Sequence, residues 1–291
     1  MRMEDLTINL NEFTPEVVLP VDTEFAEQYQ AMAALGESVA RQSKVVIVGM
    51  ARDIGNILPV TIARLKEIGS RFGRWTAVIV ENDSTDDTKA VLQSWQESSG
   101  GNVLADCRDL GHSDERGFEA SRVQRYAAYR NRYRELARDR WPDADYVLAV
   151  DLDPWGGFSE SGILNSVGWM HTLPAAACMA STSIYRATTD GKTKVWAHYD
   201  AWAFRAWGEA ARFDRYFPLW LPPPGAEPIK VLSAFGACAL YDAKRFYESE
   251  YVSIEGDIEH AGFHRNIRAA GGEIYLNPAS RVVMHWLGEY L

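Results

Sequence analysis

Apolar residues along this chain recur in two alternating rhythms. Short uncharged runs of strand length, Val45–Val48, Ala77–Val80 and Tyr146–Val150, are each followed by a polar or acidic turn. Between them lie segments whose apolar residues fall three to four apart, the period of a helix. The first such segment opens at Asp22, a residue suited to an N-cap, and carries Phe25, Tyr29, Met32, Leu35 and Val39 on one stripe. VTIARLKEIGSRFG predicts a second helix closed by glycine, and a third is capped around Ser84–Asp86. Asn102–Cys107 reads as a short strand, and a long helix is predicted near Phe118–Arg140. This alternation predicts an α/β domain with a mostly parallel sheet, right-handed crossovers and helices on both faces.

Beyond residue 153 the pattern loosens. Ser161–Met170 predicts a helix and Ala175–Ser183 a strand. The prolines of LWLPPPGAEP exclude regular structure and predict a surface loop over the site. SAFGACALYDAKRF predicts a strand leading into a short helix. A further helix ends at Gly271, Glu273–Leu276 is a strand, and RVVMHWLGEYL is another. No internal repeat or long linker divides the chain. Residues 1–43 read as an N-terminal arm and helix, and residues 44–291 as one domain.

Composition narrows the function. The chain has 291 residues, 47% of them hydrophobic, with a formal net charge of −10. That charge argues against a nucleic-acid partner, which normally meets a basic surface. It leaves room for an anionic substrate in a local basic cleft. Cys107, Cys178 and Cys238 have no CxxC spacing, which predicts reduced thiols and no zinc site. No apolar run has membrane-spanning length and the N-terminus lacks a signal-peptide core, so the expected location is cytoplasmic, with peripheral membrane association open.

The chemistry concentrates in DYVLAVDLDPWGG. A buried strand stops there on two carboxylates, Asp151 and Asp153, which point the same way because they are two apart. Like charges on one face are unfavourable without a cation, and hard carboxylate oxygens at a strand end suit Mn2+ or Mg2+. In the long helix, Val123, Tyr126, Ala127, Tyr133, Ala137 and Trp141 form an apolar stripe, and Arg130 falls inside it. An arginine there must snorkel, pair with a carboxylate or meet a ligand anion.

Several stretches together resemble the GT-A (Rossmann-like) nucleotide-sugar glycosyltransferases. VVIVGMARDIG is similar to their first strand and turn, VIVENDSTDDT to their second-strand signature, and RVQRYAAYRNRYRELA before YVLAVDLD to the Arg-Asn helix leading into the DxD strand. The spacing of Arg122, Arg130-Asn131, DLD and YDAWAFR is most similar to the fungal capsule-associated α-1,3-mannosyltransferase family and its bacterial relatives. That group often has Asn-Asp where this chain has two aspartates.

The resemblance implies transfer of a hexose, mannose among the candidates, from a GDP- or UDP-sugar to a carbohydrate or other hydroxyl acceptor in polysaccharide biosynthesis. It implies Mn2+ (or Mg2+) held by Asp151, Asp153 and a C-terminal histidine, His285. Arg52, Glu81, Asp83, Arg130, Asn131 and Asp151 are expected to line the nucleotide sugar, and Asp200 and Trp202 the acceptor. Glu259, with Asp257 nearby, corresponds to the carboxylate that acts as base in an inverting enzyme or binds sugar in a retaining one. The same resemblance favours retention. A sugar nucleotidyltransferase, a haloacid-dehalogenase-like phosphatase and an inactive carbohydrate-binding relative are the alternatives. VGMARDIG is a poor Gly-rich basic loop for the first, and two strand–turn units precede the DxD, against the second.

Overall fold

The computed structural model of the protein describes residues 14–112, 120–188, 194–207, 220–254 and 257–284. The strands are β1 (Lys44–Ala51), β2 (Arg74–Asn82), β3 (Val103–Arg108), β4 (Tyr146–Asp151), β5 (Gly157–Phe158), β6 (Ala176–Thr188), β7 (Lys194–His198), β8 (Arg205–Ala206), β9 (Ile229–Ser233), β10 (Cys238–Asp242) and β11 (Glu273–Val283). The helices are α1 (Pro15–Val18), α2 (Ala26–Ala40), α3 (Leu58–Ser70), α4 (Thr88–Ser98), α5 (Ala120–Arg140), α6 (Glu160–Thr172), α7 (Ala243–Glu248) and α8 (Glu259–Ala269).

One sheet runs in the order β3-β2-β1-β4-β10-β6-β11-β9-β8, with β5 on β11 and β7 on β6. β3, β2, β1 and β4 are parallel. β10 enters antiparallel between β4 and β6, which restores the common direction for β6 and β11. The strands are buried on both sides, which is why they read as continuous apolar runs. Val46, Val48, Val78, Val147 and Ala149 face a core shared with Ala127, Tyr133, Phe246 and Phe263 of α5, α7 and α8. Their neighbours Val45, Ile47, Ile79, Leu148 and Val150 face Ile62, Leu65, Leu92 and Val167 of α3, α4 and α6. Helix α2 lies directly on α6: a Cβ at Gly36 would sit 1.7 Å from the Leu164 carbonyl oxygen, so only glycine allows that approach.

Two local expectations are corrected. The proline-rich segment, where described from residue 220, does not cover the cleft. Pro224 O accepts from the Asp22 amide at 2.9 Å, and Glu227 accepts from Gln28 Nε2, so it packs along the N-terminal segment. The two C-terminal strands are one, β11. Its register slips between Asn277 and Arg281, where Pro278 cannot donate to the ladder, and the irregularity absorbs what the sequence presents as a break. No described helix is long and apolar enough to cross a membrane.

Candidate active site

The carboxyl ends of β1 and β4 open into a cleft of about 340 Å³, walled by α5 and the first turn of α8. Open α/β sheets bind ligands at such an edge. The chain leaves β4 at Asp151, whose amide donates to Ala237 O at 2.8 Å. Leu152 then turns into the core at 1% exposure, and Asp151 and Asp153 on either side of it line the cleft. Arg52 comes from the turn after β1. Arg122, Arg125, Tyr126, Tyr129 and Arg130 project from α5, at the spacing of one helical face.

Arg130 is the hub of this wall. It is 5% exposed, so the arginine within the apolar stripe is inside the protein. Its Nε donates to Glu259 Oε1 at 3.0 Å and one terminal nitrogen donates to Tyr133 OH at 3.1 Å. The other terminal nitrogen lies 3.9 Å from Asp151 Oδ1. The guanidinium sits over the Phe235 ring at 5.0 Å. It therefore stands between two carboxylates, held by one and facing the other.

The remaining acids are held differently. Asp83, at φ 55, accepts from the amides of Leu110, Gly111 and His112 at 2.6, 2.7 and 3.3 Å. Against the upward push of burial, these bonds and one from Asn82 hold its carboxyl down at about 2. Asp200 accepts from the amides of Gly236 at 2.8 Å and Ala203 at 3.4 Å, yet burial keeps its carboxyl above the ordinary value. Asp151 is pushed well up, by burial first and then by Asp153, Asp200 and Glu259, against the pull of Arg130. Carboxylates crowded in this way are chemically matched to a divalent cation. Among the described residues no three potential ligands are already gathered around one point.

Of the residues singled out in the sequence, Arg52, Arg130, Asp151, Asp153, Asp200, Trp202 and Glu259 meet in this cleft. Glu81, Asp83, Asn131 and Asp257 are not on its wall. Glu81 is fully buried and accepts from the Ser84 amide at 2.8 Å. Asn131 exchanges both carboxamide bonds with the Tyr251 backbone, at 2.8 and 2.9 Å. Asp257 is paired with Arg205 and accepts from the Ile258 amide. His285 lies outside the described residues.

The sequence reading gave no site role to Tyr126, Tyr129, Phe235 and His260. The tyrosines follow from the helical spacing of Arg122 and Arg130. Phe235 carried no signal, because it stands on a loop that only the tertiary fold brings to the cleft. At Gly236 in that loop, φ is +66 and a Cβ would lie 1.8 Å from Ser181 O, so the turn requires glycine.

No family model matches the chain. Among solved structures it is similar to GalNAc-T7 with UDP, GalNAc and Mn2+, at 15% identity and a TM-score of 0.51, covering 92% of this chain and 53% of that one. It is also similar to the mannosyltransferase PcManGT from Pyrobaculum calidifontis in complex with GDP-Man and Mn2+, at 13% identity and a TM-score of 0.46, covering 89% and 66%. S. aureus TarS in complex with UDP-GlcNAc matches at 10% identity and 0.48, covering 84% and 59%. The chain thus spans between about half and two thirds of the length of these proteins. Its mixed sheet, flanked by helices, has the GT-A glycosyltransferase fold.

Proposed function

We propose that the chain is a metal-dependent glycosyltransferase, moving a hexose from a nucleoside diphosphate sugar to a hydroxyl acceptor on a glycan. One observation carries this reading: the acid pair Asp151/Asp153 and the arginines Arg52, Arg122, Arg125 and Arg130 meet in a single cleft at the carboxyl edge of the sheet. A nucleoside diphosphate with its cation has that pattern of charge. Polyaromatic walls without arginine would suit a sugar but not a diphosphate.

In this reading Asp151 and Asp153 hold Mn2+ (or Mg2+), with His285 as a further ligand on the strength of its motif position. When bound, the cation offsets charge growing on the leaving diphosphate. The arginines bind and orient the phosphates, and Arg130 does so from a fixed position because Glu259 and Tyr133 hold it. Asp83 shapes the nucleoside end by fixing the backbone of residues 110–112, with Glu81 buried behind it. Asn131 fixes the Tyr251 segment behind Arg130, and Asp257, through Arg205, sets the first turn of α8. Glu259 acts on the sugar or the acceptor hydroxyl, and Asp200 and Trp202 form the acceptor side.

Mannose, GDP and retention rest on the motif resemblance, as does a role in polysaccharide synthesis. The test is incubation with GDP- and UDP-sugars, Mn2+ and sugar acceptors. Release of nucleoside diphosphate with a lengthened acceptor is expected. Pyrophosphate formed from a nucleoside triphosphate and a sugar phosphate would identify a nucleotidyltransferase instead, and sugar binding without turnover would identify a binding protein.

A further inference from the structure

Two histidines one turn apart on α8 are treated in opposite ways. His264 is fully buried and both its ring nitrogens are satisfied, Nδ1 with Ser233 Oγ at 2.8 Å and Nε2 with Tyr241 OH at 2.9 Å. His260 is 3% exposed, yet among the described residues neither of its ring nitrogens has a hydrogen-bond partner. Glu259 Oε1 lies 3.8 Å from Nε2, beyond hydrogen-bond distance, and is already held by Arg130. The His260 ring stacks on Phe235, with centroids 4.1 Å apart and planes 20° apart, and meets the Tyr251 ring edge-on. His264 is a core residue, whereas His260 lines the cleft.

A neutral imidazole carries one N–H donor and one lone pair, and an interior that leaves both unpaired is destabilised. Such a group is retained where another molecule supplies the partner. The Glu259 carboxylate beside it disfavours an anion at this point, while a hydroxyl both donates and accepts and so matches the imidazole. The position also selects which hydroxyl. His260 adjoins Glu259 and Arg130 at the Asp151 end, where a group joined to the diphosphate would lie, whereas an acceptor enters past Trp202, which is 38% exposed. We infer that His260 is a specificity-determining ligand of the donor hexose, hydrogen-bonding a sugar hydroxyl while Phe235 backs its ring. This rests on the nucleotide-sugar reading of the cleft.

The test is calorimetry in Mn2+ with GDP against GDP-mannose and UDP against UDP-N-acetylglucosamine, for the wild type, His260→Phe and His260→Gln. Phenylalanine keeps the stack on Phe235 and removes both polar atoms. The expected result is unchanged affinity for GDP and UDP, and affinity for the matching sugar nucleotide lowered roughly five- to tenfold. Glutamine should recover part of that loss. The melting temperature of His260→Phe should be unchanged or higher, because an unpaired polar group has left the interior. Wild-type affinity for the sugar nucleotide in His260→Phe would overturn the role, as would a lower melting temperature with equal losses for nucleotide and sugar nucleotide. A wild type that binds neither nucleotide nor sugar nucleotide contradicts the reading of the cleft itself.

Discussion

The two sides of the cleft hold their acids by different physics. On the sheet side, next to Asn82 of the cleft lining, Asp83 is fixed by three backbone amides of residues 110–112. On the helical wall, Glu259 is fixed by the guanidinium of Arg130, both side chains being 6% exposed. Backbone amides come with the turn and cannot be removed by changing another side chain. The guanidinium can be removed, and a buried carboxylate would then be stranded. The sheet side is therefore robust, whereas the helical wall depends on one pair whose members are 129 residues apart.

The largest effect should come from breaking that pair. Arg130→Met should cost about 3–5 kcal/mol in urea unfolding, because it leaves Glu259 buried without a cation. Arg130→Met/Glu259→Gln should recover most of the loss. A cost below ~1 kcal/mol for the single variant would show that the helical wall is not anchored there. Glu259→Gln should lower glycosyl transfer by about 10²-fold or more while nucleotide binding persists. Near-normal turnover in initial-rate measurements would move the role to Asp200. Asp83→Asn should cost only ~1 kcal/mol, because an amide oxygen still accepts from the Leu110 and Gly111 N–H groups and only the longer bond from His112 and the one from Asn82 are lost. A loss as large as that of Arg130→Met would erase the contrast between the two sides.

What was legible in the sequence follows the same division. β1, β2 and β4 with their turns were readable because each is a local pattern: an apolar run, an acidic turn, then a helical stripe. The convergence of Arg52, Asp151 and Asp153 on one edge followed from that topology. The Arg130–Glu259 pair was not readable. The stripe on α5 showed that Arg130 needed a partner but could not say which of the partners would win. Arg134, also buried, donates to the carbonyls of Tyr247 and Ser249, and no periodicity marks those acceptors. The placement of Phe235 and His260 depends on β10 entering antiparallel between β4 and β6, which local patterning does not encode.

The smallest effect concerns pH. Burial holds His198 and His264 down at about 3 in the folded protein. Below about pH 6.5 the unfolded chain takes up protons at both residues and the folded protein does not, so stability falls as pH drops from there toward 3. Asp151 and Asp200 oppose this. Their raised carboxyls bind protons more tightly in the folded state, so they lose stability as pH rises through the folded values. The melting temperature should therefore fall only modestly between about pH 7 and about pH 5 in the wild type, and more steeply in Asp151→Asn, where one opposing group is gone. Equal slopes in the two proteins would show that the surroundings of Asp151 do not raise its carboxyl.

In the proposed function, the cleft at the ends of β1 and β4 binds a nucleoside diphosphate through a cation held by Asp151 and Asp153. Calorimetric titration of GDP and UDP into the wild type and Asp153→Ala, each with Mn2+ and with EDTA, tests it most directly. At least one nucleotide should bind the wild type in Mn2+, lose at least about tenfold in affinity in EDTA, and bind Asp153→Ala equally weakly in both conditions. Nucleotide affinity that is the same with and without Mn2+, or unchanged by Asp153→Ala, would contradict it.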